Sequence, residues 1–187
     1  MWFNGPQEGD VNIWILLSRL PIGGKEWSVP IKVSEMSRFS VQNPVLHWIP
    51  NTAGGDTAGG GGRLVLMHTA QPAKRGQAEG RVVMRVSDDR GLSWSANPVP
   101  LLTRRGSFIR HGLIPAQTGK GLLLPVYFTP HGMGNTAGQG AVLLRSEDES
   151  GLRWREIAAP APAVATETAT GGDEGDGGDR GDGGGAV

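Results

Sequence analysis

Arg110, His111 and Tyr127, with Glu8, Gln42 and Asn43, are the residues whose types suit work on a carboxylate-bearing substrate. An arginine keeps its charge and can pair bidentately with a carboxylate. Histidine and tyrosine can take or give a proton at a reacting carbon or oxygen. Gln42 and Asn43 add amide donors and acceptors for a substrate's oxygens. His68, Gln71 and His131 fall at comparable places along the chain. Taken singly, each has an ordinary explanation: Arg110 can pair with a neighbouring acid, His111 can be a satisfied strand-end histidine, and Tyr127 can be a core ring with its hydroxyl at the rim. His47 and Trp48 lie inside a strand and read as packing residues. A site exists if the strands bring the first set to one face.

Those strands are legible from a turn. Ser87-Asp88-Asp89-Arg90-Gly91-Leu92-Ser93-Trp94 follows the alternating run Arg81 to Val86. In such a hairpin Ser87 and Asp89 bond turn amides, Gly91 takes a positive φ, and Trp94 folds back onto the sheet. Ser146 to Trp154 repeats the pattern with one inserted residue, and Ser18 to Trp27 keeps the serine, a glycine and the tryptophan. Trp27, Trp94 and Trp154 stand 67 and 60 residues apart. Between them the apolar patterning predicts strands at 12–19, 27–33, 41–49, 63–68, 81–86, 99–102, 108–114, 121–128 and 141–145, with the end of another at Trp2-Phe3. A four-stranded antiparallel unit recurring at this length is a β-propeller blade, longer than the roughly 40–50 residues of WD40 or kelch blades. The predicted fold is all-β: two complete blades at about 41–103 and 107–159, preceded by the outer part of another. Two to three blades fall short of the roughly 4 to 8 of a closed propeller. The propeller part is expected over 1–160, and the Gly/Asp-rich stretch 161–187 is expected to be a disordered tail.

Composition supports many short strands, since Gly (31) and Pro (13) approach a quarter of the 187 residues. Cysteine is absent, so disulfides and thiolate metal sites play no part. Residues 171–187 carry five acids against Arg180, leaving the rest at about +4, too mild to imply nucleic acid. The acids of the turn lack calcium-loop spacing, and no cofactor is implied. No apolar run approaches a membrane span, and no leader pattern opens the chain. It reads as soluble, with the compartment open.

Ser87 to Trp94 resembles the repeat of the Asp-box (bacterial neuraminidase repeat) sialidases, Ser-x-Asp-x-Gly-x-Thr/Ser-Trp. Further similarity lies in Trp2-Phe3 with Glu8-Gly9, Gln42-Asn43-Pro44-Val45-Leu46, and Phe108-Ile109-Arg110-His111 with Leu123-Leu124-Pro125-Val126. The resemblance covers residues 1 to 158. It implies a sialidase-type propeller with the box on the face away from the active site, so that Asp88 and Asp89 are structural. In a meandering blade the 3–4 and 1–2 loops share one face, while the 2–3 loops and crossovers share the other. The second face gathers Gln42, Asn43, Arg110 and His111 at the openings of the innermost strands, and Glu8, His68 and Tyr127 where the 2–3 loops begin. As a sialidase the resemblance implies an arginine cluster, a tyrosine nucleophile with a glutamate, and an aspartate acid/base; of these Arg110 has a matching position. Three readings stay open: a sialidase-type hydrolase, incomplete and inactive alone; a uronate lyase using His111 or Tyr127; and a noncatalytic glycan-binding propeller. Open blade edges favour self-association.

Overall fold

A computed structural model describes residues 1–50, 61–117, 121–132, 138–148 and 150–157. Their strands form three antiparallel sheets, each a meander in which neighbours in sequence pair. The first contains β1 (Trp2–Asn4), β2 (Trp14–Leu17) and β3 (Ile31–Ser34). The second contains β4 (Phe39–Pro50), β5 (Gly62–Pro72), β6 (Arg81–Ser87) and β7 (Val99–Pro100). In the third, β8 (Ser107–Phe108) and β9 (Ile114–Pro115) both pair with β10 (Leu122–Phe128), followed by β11 (Gly140–Ser146) and β12 (Trp154–Ile157). One 3-10 turn, Gln77–Glu79, is the helical content of the described residues. The all-β class stands; no closed propeller is formed by the described residues, and the tail expected at 161–187 lies outside them.

Alternation along the strands sends one set of side chains to each neighbouring sheet. Ile15, Leu17 and Val33 of the first sheet meet Val41, Leu66, Ala70 and Val83 of the second. The opposite face of the second sheet, with Val65, Met67, Val82 and Met84, meets Ile109, Leu124, Val126 and Leu144 of the third. Burying an aliphatic side chain of this size contributes about 1.5–3 kcal/mol, so these two layers dominate cohesion.

The turn after β6 forms as its spacing predicts. The Gly91 amide donates to Ser87 Oγ at 2.7 Å, the Ser93 amide to Asp89 Oδ1 at 2.9 Å, and Gly91 sits at φ +83. The Ser93 hydroxyl and amide, with the Ser87 hydroxyl, hold the Asp89 carboxyl well below the usual carboxylate range. Asp148 is lowered in the same way, first by the Ser150 hydroxyl. Both aspartates are spent on their own turns.

Several expectations need correction. The strand expected from Trp27 begins at Ile31, and Trp27 is 66% exposed instead of folding onto the sheet. The single strand expected over 108–114 is broken into β8 and β9. That expected at 63–68 runs to Pro72, and that at 99–102 shrinks to two residues. Trp48 lies against the backbone of Gly62 and stays 38% exposed.

Polar contacts also cross the sheets. His68, fully buried on β5, meets Ser34 Oγ of β3 through Nε2 at 2.7 Å and donates from Nδ1 to the Thr69 carbonyl at 3.2 Å. Arg85 donates to the Val33 carbonyl at 3.1 Å. With Nδ1 as the donor, Nε2 accepts the serine proton, and the ring is neutral. Burial, aided by the nearby Arg85 charge, lowers the His68 pKa to about 4 from 6.5. Its folded value lies below its unfolded one, so its contribution is complete above pH 6.5 and lost as pH falls toward 4, where the unfolded chain alone binds the proton. The loss is about 3 kcal/mol over that window. Urea titrations at stepped pH are expected to show it in the parent chain, with a flatter response in His68→Asn; equal slopes in both would refute the assignment.

Candidate functional site

The candidate residues are positioned by two interruptions of the ladders. On β4, Gln42 pairs with Thr69 and Val45 with Met67, so Asn43 and Pro44 together oppose His68. Asn43 takes φ +54, a left-handed conformation that asparagine tolerates better than most residues, and Pro44 has no amide to offer the ladder. In the third sheet Phe108 pairs with Tyr127, and pairing resumes at Ile114 with Leu123. Six steps along one strand accompany four along the other, which expels Arg110, His111 and Gly112 into solvent. Bulges of this kind re-aim side chains that regular pleating would bury.

Both interruptions face the same end of the sheets. Glu8, Gln42, Asn43, Gln71 and Arg110 line one narrow cleft, together with Thr69, Gln77 and Phe108. Its enclosed space, about 10 Å³, is the size of one water molecule. Each sheet contributes: Glu8 from the β1–β2 connection, Gln42 from β4, and Arg110 from the break after β8. The amide orientation of Gln42 that satisfies its neighbours donates to Glu8 Oε1 at 3.1 Å and accepts from the Gly9 amide at 3.1 Å and from Ser40 Oγ at 2.7 Å. Gln42 is thereby a buried bracket for Glu8. Thr69 Oγ1 accepts from the Ile109 amide at 3.2 Å, fastening the third sheet to the second directly before Arg110.

His111 and Tyr127 stand beside the cleft. His111 Nε2 and the Tyr127 hydroxyl are 2.9 Å apart and exposed to solvent. The Tyr127 ring stacks on Phe108 with centroids 5.5 Å apart, and the Arg110 guanidinium lies 5.9 Å from the same Phe108 ring. Phe108 therefore couples the arginine to the histidine–tyrosine pair, a role missed in the sequence because Phe108 reads there as an ordinary core position. Its register partner Tyr127 was the available signal. Thr69 and Gln77 were also missed.

Two residues depart from expectation. His68 is sealed between sheets and does not reach the mouth, because β5 runs on to Pro72 and regular alternation puts His68 with Leu66 and Ala70 on the face that meets the first sheet. His131 is 84% exposed and lies 3.5 Å from Glu79, which Arg105 engages at 2.6 Å, so it faces that ion pair. No group of His, Asp and Glu able to hold a metal occurs among the described residues. No helix among them is long and apolar enough to cross a membrane.

Antiparallel sheets in series, with structural serine–aspartate turns at one end and a polar cleft at the other, define a repeat-built β protein. Residues 1–172 match the family described as BNR repeat-like domain, and the chain belongs to that family. Among solved structures it is similar to a protein of unknown function from Dyadobacter fermentans DSM 18053, with 18% identity and a TM-score of 0.56. The match covers 82% of this chain and 45% of that one, so this chain spans about half the length of its structural relative. That likeness is one of fold. No curated protein matches the sequence.

Asn43 tests the bulge. Asn43→Val, a β-branched residue at positive φ, is expected to cost about 1–2 kcal/mol in denaturant unfolding. Asn43→Gly is expected to be neutral within about 0.5 kcal/mol. Equal effects of the two would mean that the left-handed turn is not what the sequence selects there.

Proposed function

We propose that the chain is a sialidase-like, carbohydrate-active propeller segment that binds an acidic sugar over the mouth of this water-sized cleft, with the exposed Arg110 as partner of the sugar's carboxylate. On this reading the second and third sheets are whole blades, and the first sheet is the outer three strands of another. The observation that carries it is the state of Arg110: an exposed guanidinium that pairs with no carboxylate among the described residues, at the lip of a cleft lined by amides and one bracketed glutamate. Gln42, Asn43 and Gln71 suit hydroxyl and N-acyl groups, and Glu8 suits a hydroxyl or protonated amine.

In isolation the segment binds and does not hydrolyse. The resemblance to sialidases implies a tyrosine activated by a glutamate, whereas the Tyr127 hydroxyl is bonded to His111. That same 2.9 Å bond favours a second reading, a uronate lyase. There His111 or Tyr127 removes the proton α to a carboxylate neutralised by Arg110. The electron pair forms the carbon–carbon double bond, the β carbon–oxygen bond breaks, and the departing oxygen takes a proton.

Calorimetric titration with N-acetylneuraminate, glucuronate and neutral galactose is expected to show binding of the acids alone. Arg110→Ala should weaken it tenfold or more, the scale of a charge-assisted contact, and Arg110→Lys less so. Equal binding of galactose, or indifference to Arg110→Ala, would defeat the proposal. A fluorogenic sialoside should release no product. An uronate polymer developing near-ultraviolet absorbance in a Tyr127-dependent manner would select the lyase.

A further inference from the structure

The cleft encloses about 10 Å³, against the roughly 300–1,000 Å³ of a pocket that surrounds a small ligand. A sugar held over its mouth stays open to solvent on most sides, so contacts beyond the cleft must supply much of its binding. The second sheet shows where they lie. Gln71, which lines the cleft, pairs with Ser40, and one step further Phe39 pairs with Pro72 and the ladder ends. There the Ala73 amide donates to the Arg38 carbonyl at 3.0 Å, and the Arg75 amide donates to the Pro72 carbonyl at 3.2 Å, closing a tight turn around Lys74. Arg38, Lys74 and Arg75 therefore stand together at the end of the sheet that carries the cleft. Arg38 lies two strand residues, about 7 Å, beyond Ser40.

Two features mark this turn. Arg38 sits at φ +68 and Lys74 at φ +63, left-handed conformations for which glycine or asparagine is the unstrained choice. Long cationic side chains hold both places, and strained positions of this kind collect at ligand sites. The second feature is charge. All three side chains are exposed, and no carboxylate among the described residues pairs with them. The acids nearest in the chain are engaged elsewhere, Glu35 by Lys32 at 3.0 Å and Glu79 by Arg105 at 2.6 Å. Three like charges in one turn repel one another, and an anion laid across them relieves that repulsion. The chain as a whole has no net charge, so the basic excess is local to this end.

We propose that the Arg38–Lys74–Arg75 turn is a second anion subsite, and that the ligand is a stretch of acidic polysaccharide with one carboxylate on Arg110 and later ones on this turn. The proposal rests on reading the cleft as an acidic-sugar site. Arg110 comes from the third sheet and the basic turn from the far side of Gln42 and Gln71, so a ligand meeting both crosses the end of the second sheet. A single ring against Arg110 leaves the turn empty. Several modest contacts on one linked ligand add through effective concentration, which suits an open surface better than one seat does.

Titration of the full chain with galacturonate and N-acetylneuraminate, each against its linear hexamer, is expected to show a gain of at least about tenfold for one hexamer at low salt. The hexamer that gains identifies the acid. Raising the salt to about 1 M should remove most of the gain. Arg38→Asn/Lys74→Asn/Arg75→Gln keeps residues that tolerate the left-handed turn and removes its charge. It should abolish the gain while leaving monosaccharide affinity and the urea midpoint unchanged. Arg75→Gln alone, outside the left-handed region, should lower hexamer affinity at least about twofold. Equal affinity for hexamer and monosaccharide, or for parent and triple variant, would overturn the subsite. Oligothymidylate binding as tightly as the hexamer would overturn the polysaccharide assignment in favour of nucleic acid. Hexamer binding that needs the turn but ignores Arg110→Ala would defeat the reading of the cleft and keep the subsite. Binding that needs Arg110 and ignores the turn would do the reverse.

Discussion

The constraint on which the molecule depends is that each sheet has two apolar faces and can cover neither by itself. Strands of two to twelve residues cannot bury their own side chains, and a sheet in this chain becomes stable when a neighbour presses on it. The serine–aspartate turns serve that need. Their short hydrogen bonds fix the loop after β6 and the loop before β12, so that a tryptophan drops onto the sheet before. Asp89 and Asp148 are consumed within their own turns, and Asp88 pairs with Arg63 of β5.

The opposite end is free for chemistry for a related reason. A regular ladder would alternate Gln42, Asn43, Arg110 and His111 between two packed layers, at the cost of burying charge or leaving amides unpaired. The bulges remove that conflict by taking Asn43 and the Arg110–Gly112 stretch out of the ladder. Gln42 alone stays buried, and it is satisfied by Ser40, Gly9 and Glu8. Irregular pairing on the innermost strands is thus the device that converts a packing element into a cleft wall.

Much of this was legible before the coordinates. Alternating apolar runs and glycine-rich turns fixed most strands, because burial on both faces leaves a strong pattern. The assignment of turns to one end and candidate residues to the other followed from meander topology. What escaped were features decided by neighbours in space. Trp27 shares its spacing with Trp94, but a tryptophan packs only where a surface exists to receive it. His68 reads as a loop-end histidine because the polar Thr69 and Gln71 hide that the strand continues to Pro72. Phe108 acquires its role through Tyr127, nineteen positions later, through a pairing that neither residue announces alone.

The cleft draws one wall from each sheet, and this ties recognition to assembly. Glu8, Gln42 and Arg110 keep their mutual positions only while the first sheet is held to the second by Ser34 and His68, and the second to the third by Thr69 and the Ile109 amide. A ligand spanning Glu8 and Arg110 would bind the packed arrangement and not the separated sheets, and would stabilise the fold by mass action. Loosening either seam would in turn spread the site without touching any residue that lines it. In a protein built by repeating one unit, a site at the common end of the sheets is where the geometry of every seam is read at once.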